Sequence, residues 1–229
     1  MKGKELEICC DASIKEFEDK RTFGCAGSVC INTGQEYYTL IPDTTNNRAE
    51  LIAIYNSVVM AQRIITLNPN LYDSITIYSD SKNSVFGLRE WMPNWLKKID
   101  SNGILYRYDN KPVENQDLYT MIISYIVLNN LFIKFRHQKG HINYNKQKDL
   151  IKAAKIFKQS NGYDLVMDDI YKISFYNALV DENSRCKLFN VDESQYAVLN
   201  ENNIQMARYV INEDYKTHIL WFNGGEVND

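Results

Sequence analysis

Two apolar stretches in succession alternate with a period of two, a third segment of strand formers follows, and then the period changes. Residues 5–12 place Leu6, Ile8 and Cys10 on one parity, and residues 22–31 repeat the pattern with Phe23, Cys25, Val29 and Ile31. Residues 35–41 are rich in strand formers and follow the turn signal Asn32-Thr33-Gly34. Period two marks strands with one face buried, and connections this short join antiparallel neighbours. From there Leu51, Ile54, Val58, Ala61 and Ile65 recur at helical spacing, with Asn46 or Asn47 placed to cap. Residues 74–79 read as a buried strand, and a helical stretch after Ser81 is interrupted by Pro93. A helix over 114–129, a strand over 131–137 and a helix over 143–159 follow. The order βββαβααβα predicts an α/β fold: a mixed five-stranded sheet, three antiparallel strands and then parallel ones, flanked by helices.

Composition narrows the class. Of 229 residues, 45% are hydrophobic and 24% charged, which excludes wholesale disorder. No apolar run is expected to cross a bilayer, so no membrane partner is expected. Met1 to Glu5 run into a strand-like segment without the apolar core of a secretory signal. The five cysteines are odd in number and lack CxxC spacing, which points to reduced thiols and a cytoplasmic location. Cys9, Cys10, Cys25 and Cys30 fall on strand patterns and read as small core residues.

The net charge of −3 conceals an asymmetry. Residues 1–159 carry 21 Lys and Arg against 17 Asp and Glu, whereas residues 160–229 carry 5 against 12. With the turn-forming run Ser160-Asn161-Gly162, this predicts a domain over 1–159 and an acidic C-terminal extension over 160–229. In that extension residues 170–176 and 218–222 look like strands, residues 200–210 like a short helix, and residues 224–229 like a frayed end. An acidic extension beside a basic half is expected to dock away from nucleic acid or to meet a protein partner. A chain cut after residue 159 should then stay folded and active.

Four acids sit where an acid is locally expensive. Asp11 closes the first strand, Glu50 lies beside the apolar stripe of the first helix, Asp80 ends the buried strand, and Asp149 precedes Leu150 and Ile151 in the last helix. Converging carboxylates repel one another unless a cation neutralises them, and hard oxygen ligands suit Mg²⁺ or Mn²⁺. Taken singly, each acid reads more readily as a helix cap or a solvated strand end than as a catalytic group. Spacing alone therefore leaves open a metal-dependent hydrolase and an ordinary α/β domain.

The residues around these acids resemble type 1 ribonuclease H. Thr44-Thr45-Asn46-Asn47-Arg48-Ala49-Glu50-Leu51 is similar to that family's TTNNRxEL helix start, Tyr78-Ser79-Asp80-Ser81 to its TDS strand end, and Asp11-Ala12-Ser13 to its DGS. Lys139-Gly140-His141 resembles the KGH loop, and Asn145 to Asp149 the final N-x-x-x-D. Trp91 to Lys98 and Asp109 to Leu118 are similar to the basic protrusion and the helix after it. The resemblance runs from about residue 4 to 157. It departs at Ala12, which replaces glycine, and at Lys82, where the family often has glutamine.

What the resemblance implies is endonucleolytic cleavage of the RNA strand of an RNA–DNA hybrid, leaving 3′-hydroxyl and 5′-phosphate ends, in primer removal or repair. Asp11, Glu50, Asp80 and Asp149 would hold two Mg²⁺ ions, with Mn²⁺ as a substitute, and His141 would shuttle a proton or assist product release. Asn46 and Asn47 would meet minor-groove edges and sugars, and Thr45 a DNA phosphate. Trp91 and Trp95 would stack near Lys97 and Lys98, and Ser13, Lys82 and Asn145 complete the implied substrate contacts. From Arg89 to Lys111 there are five Lys and Arg against three Asp and Glu, a modest electrostatic footprint. Two alternatives stand beside this reading: a hybrid-binding module of reduced activity, and a DNA-cutting nuclease or integrase of the same fold.

Overall fold

The computed structural model describes residues 4–17 and 20–189. Strands β1 (Lys4–Glu16), β2 (Thr22–Cys30) and β3 (Glu36–Pro42) form the expected antiparallel meander, and β4 (Tyr72–Ser79) and β5 (Ile133–His137) extend it in parallel. The order across the sheet is β3-β2-β1-β4-β5, so β1 is central and paired on both sides. A central strand is buried on both faces, which is why its alternation carries no polar parity between Ile8 and Ser13. Leu6, Ile8, Cys10 and Ala12 pack toward helices α1 (Asn46–Leu67) and α4 (Gln116–Leu128), while Cys9 packs on the opposite face.

Helix α1 is capped by Thr45, whose hydroxyl accepts from the Arg48 N–H at 3.4 Å. Asn46 and Asn47, expected as caps, are its exposed first residues. Contrary to the sequence reading, α1 is by length and composition apolar enough to cross a membrane. Its buried face, from Ala49 and Leu51 through Ile54, Val58 and Ala61 to Ile64, lies in the core beneath the sheet, which accounts for that apolarity. Pro93 does not break the helical stretch as expected. Helix α2 (Lys82–Phe86) passes through one wide turn at Gly87–Trp91 into α3 (Met92–Leu96), and Pro93 sits in the first turn of α3. The wide turn disrupts the hydrogen-bond ladder just where a proline lacks the N–H to continue it.

Residues 170–176 are not a strand. They belong to α6 (Met167–Phe189), whose buried positions Ile170, Ile173, Ser174, Asn177, Val180, Ser184 and Leu188 recur at helical spacing. Nor is residue 160 a boundary in the core. Helices α5 (Gln147–Asn161) and α6 cover the second face of the sheet together, and Ile170, Ile173 and Val180 share a cluster with Cys9, Val29, Tyr78 and Phe157. Gly27 on β2 makes this docking possible: a Cβ there would meet Ser184 Oγ at 2.6 Å, Tyr38 Cε1 at 2.7 Å and Val180 Cγ1 at 2.8 Å. The strand expected over 218–222, the helix over 200–210 and the frayed end lie outside the described residues.

Candidate active site

Strand register brings the first two acids together. Parallel pairing of β1 with β4 sets Cys10 opposite Ser79, so the next residues, Asp11 and Asp80, are neighbours where β4 ends. Glu50, in the second turn of α1, approaches from the layer below. Asp11, Glu50 and Asp80 each present an oxygen within 4.8 Å of the others. Asp11 is 3% exposed and Glu50 6%.

Burial and like charge act in the same direction here. Burial first, then the charges of Asp80 and Asp181, push Asp11 well above the ordinary carboxylate range, against the opposing bond from the Ala12 N–H to Oδ1 at 2.8 Å. Glu50 is raised by burial and then by Asp11, Asp80 and Asp181, and its Oε2 is buried without a hydrogen-bond partner. Asp80 is also raised, by burial, although the charges of His141 and Lys139 pull the other way. The Lys139-Gly140-His141 loop can lie this close because Gly140 has no side chain: a Cβ there would collide with Asp80 Oδ2.

A fourth acid whose charge acts on this cluster is Asp181, whereas Asp149 is not among the acids that converge within 4.8 Å. Asp149 lies in the first turn of α5, half-buried, with its N–H bonded to the Lys146 carbonyl. Asp181 comes from α6 and raises Asp11, Glu50 and Asp80 alike. Its carboxylate stands 3.5 Å from His141 Nδ1, 2.9 Å from Arg185 Nη2, and accepts from Ser13 Oγ at 3.5 Å. One turn earlier, Asn177 donates from Nδ2 to Asp11 Oδ2 at 3.4 Å. Asn177-Ala178-Leu179-Val180-Asp181 repeats the N-x-x-x-D pattern of Asn145 to Asp149, and that signal was present in the sequence. A shallow cavity of about 310 Å³ opens beside these groups, lined by His141, Asn143, Asn177, Asp181 and Arg185 among others.

The expected substrate contacts divide. Asn46, Asn47, Lys82, Lys97 and Asn145 are exposed, Trp91 is 40% exposed, and Lys82 lies over the Phe86 ring. Trp95 is not available: it is 8% exposed, and its ring packs edge-on against Tyr119 with centroids 5.1 Å apart. Lys98 is turned to the protrusion's own backbone, donating to the carbonyls of Arg107 and Tyr108. Ser13 is buried and bonded to Asp181, and Thr45 is occupied as a cap. His137, at the end of β5, is buried against Ser160 Oγ at 2.8 Å, and burial drives its imidazole down to about 4.

A family model described as RNase H matches residues 3–157. Ribonuclease H of Prochlorococcus marinus (strain NATL1A) is 35% identical over 115 residues, which are 50% of this chain and 63% of that protein. Ribonuclease H of Prosthecochloris aestuarii (strain DSM 271 / SK 413) is 35% identical over 117 residues, 50% of this chain and 70% of that protein. The chain thus spans just under two thirds of the length of the first of these. A solved structure described as LC9-RNase H1, a type 1 RNase H with the type 2 active-site motif, has 18% identity and a TM-score of 0.46, covering 79% of this chain and 86% of that one. The matched residues contain Asp11, Glu50 and Asp80 and end before α6, which contributes Asn177 and Asp181. With more than half of its length matched by the family model, the chain belongs to the RNase H family.

Proposed function

We propose that the chain is a metal-dependent endoribonuclease that hydrolyses the RNA strand of RNA–DNA hybrids, leaving 3′-hydroxyl and 5′-phosphate ends, in primer removal or repair. The observation that carries this reading is the convergence of two buried carboxylates, one with an orphaned oxygen, and the half-buried Asp80 on a point where Asp181 adds a fourth charge. Such a set is unfavourable without a cation and fits one with it. All the donors are hard oxygens, as two Mg²⁺ or Mn²⁺ ions require. Asp11, Glu50, Asp80 and Asp181 would hold them, with Asp181 in the place expected of Asp149. When bound, such ions lower the pKa of a water and stabilise the charge that develops on the leaving 3′ oxygen.

The chain's own residues supply the rest. Asn177 holds Asp11 by its amide, and Arg185 holds Asp181 from the next turn of the same helix. His141, exposed and 3.5 Å from Asp181, is placed to carry the proton that the attacking water must lose. Gly140 lets that loop reach Asp80. Asn46, Asn47 and Trp91 are exposed for the sugars and bases of a hybrid, whose two strands differ in their 2′-hydroxyls.

The test is cleavage of matched labelled RNA–DNA, DNA–DNA and RNA–RNA duplexes with Mg²⁺ and with EDTA. Cutting of the RNA strand of the hybrid alone, abolished by EDTA, is the expected result. Equal cutting of the all-DNA duplex overturns the substrate assignment.

A further inference from the structure

Several lysines in the described residues are tied down by ion pairs. Lys134 pairs with Glu5, Lys158 with Asp164, and Lys172 with Glu7 and Asp169. Lys158 is the member of helix α5 that is so tied, and three other lysines of that helix are not. Lys148, Lys152 and Lys155 are all exposed and have no ion-pair partner among the described residues. Their spacing of four and then three residues aligns them along one face, opposite Ala153 and Phe157, which are buried against the sheet. At 1.5 Å rise per residue the row is about 10 Å long. The row starts at Lys148, seven residues after His141 and so within about 25 Å of that histidine, and Lys146, also exposed, lies between them.

We propose that this face of α5 is a second phosphate-binding surface, which grips the backbone of the hybrid beyond the cleavage site. The inference rests on the function proposed above and extends it. Charge is the argument. The four acids of the active site repel a polyanion, and the chain as a whole carries a net charge of −3. The protrusion compensates only in part: Lys97 and Lys111 are exposed without an ion pair among the described residues, whereas Lys98 donates to its own backbone, Arg89 pairs with Glu90 and Arg107 with Asp109. A row of three unpaired lysines on the helix that follows the catalytic loop is the complement a phosphate backbone would meet. Such contacts are indifferent to base sequence and act on affinity rather than on the chemical step.

The experiment compares the full chain with K148Q/K152Q/K155Q and with K148R/K152R/K155R. Glutamine and arginine are helix formers close to lysine, so all three proteins should keep the same circular dichroism and melting temperature. Steady-state cleavage of a long labelled hybrid is measured across a salt series. For the glutamine variant we expect kcat to hold, KM to rise roughly tenfold, and the slope of log affinity against log salt to flatten by about 2 to 3, near 0.9 for each phosphate that is no longer neutralised. The arginine variant should match the parent chain. An unchanged KM and salt slope in the glutamine variant overturns the proposal, as does a loss that arginine fails to rescue. Failure of the underlying function reads differently, as a parent chain that cuts no hybrid. If direct binding of the hybrid then still shows the flattened slope, the surface stands and the activity falls.

Discussion

At the scale of residues, the site is a repulsion problem that a cation solves. Asp11, Glu50 and Asp80 are raised by burial and by one another, so in the absence of metal they retain protons or carry unfavourable charge. Asp80→Asn removes one charge from this group. In EDTA near neutral pH it should stabilise the protein by on the order of 1 kcal/mol, about 2–4 °C in melting temperature for a chain of this size. The same variant should lose hydrolysis and most of the thermal shift that Mg²⁺ gives the parent, read by calorimetry with and without the ion. A parent chain that Mg²⁺ does not stabilise would count against the site. A second pair of substitutions separates the two candidates for the fourth acid. Asp181→Asn should cost on the order of a hundredfold or more in the cleavage rate, as loss of a group acting only in the transition state does. Asp149→Asn should leave that rate within about twofold, because Asp149 is not among the acids that converge within 4.8 Å. The opposite ranking in a labelled-hybrid assay would return the role to Asp149.

At the scale of elements, α6 decides whether the site is complete. It brings Asn177 to Asp11 and Asp181 to His141, and it docks only because β2 has a glycine beneath it. Gly27→Ala would drive a methyl group into Ser184, Tyr38 and Val180. The expected cost is about 1–3 kcal/mol of stability by overpacking, measured as a lower urea midpoint, together with a loss of activity larger than the unfolded fraction explains. Full activity in a folded Gly27→Ala protein would mean that α6 need not sit as observed. The helix was illegible in the sequence for a physical reason. Its buried face mixes Ile170, Ile173 and Val180 with Ser174, Asn177 and Ser184, so no continuous apolar stripe marks it, and the aromatic residues between 170 and 176 imitate a strand. By contrast α1 and the first three strands were plain, since each has one dominant period and one kind of neighbour.

At the scale of the whole molecule, residues 160–189 and the preceding domain share one core, so a chain cut after residue 159 should not behave as an independent domain. It would expose Cys9, Val29, Tyr78 and Phe157 on the uncovered face of the sheet. We expect aggregation or a molten state by gel filtration and near-ultraviolet circular dichroism; a monomeric, active fragment would restore the boundary. The pH dependence of stability has two opposed parts. His137 is lowered from 6.5 to about 4, so the unfolded chain binds the proton more readily, and its contribution is present above about 6.5 and lost as pH falls toward 4. The raised acids of the site act oppositely without metal: their contribution is full below about 4 and lost as pH rises through their folded values. Replacing His137 with glutamine should therefore flatten the fall in melting temperature between pH 6.5 and 4, measured in EDTA. An unchanged acid limb would show that His137 is already charged in the fold.

The residues alone determined the order of elements as far as α5, the antiparallel meander and the three acids Asp11, Glu50 and Asp80. Those properties follow from local periodicity and from short motifs that a strand end or a helix start carries by itself. Two segments satisfy the same N-x-x-x-D pattern, and nothing local distinguishes Asp149 from Asp181. Only the packing of α6 across β1 and β2 chose between them, because proximity across a sheet depends on which helix covers which face. The same packing placed Trp95 in the core, left Trp91 half in solvent, and turned an apparent appendage into the wall of the site.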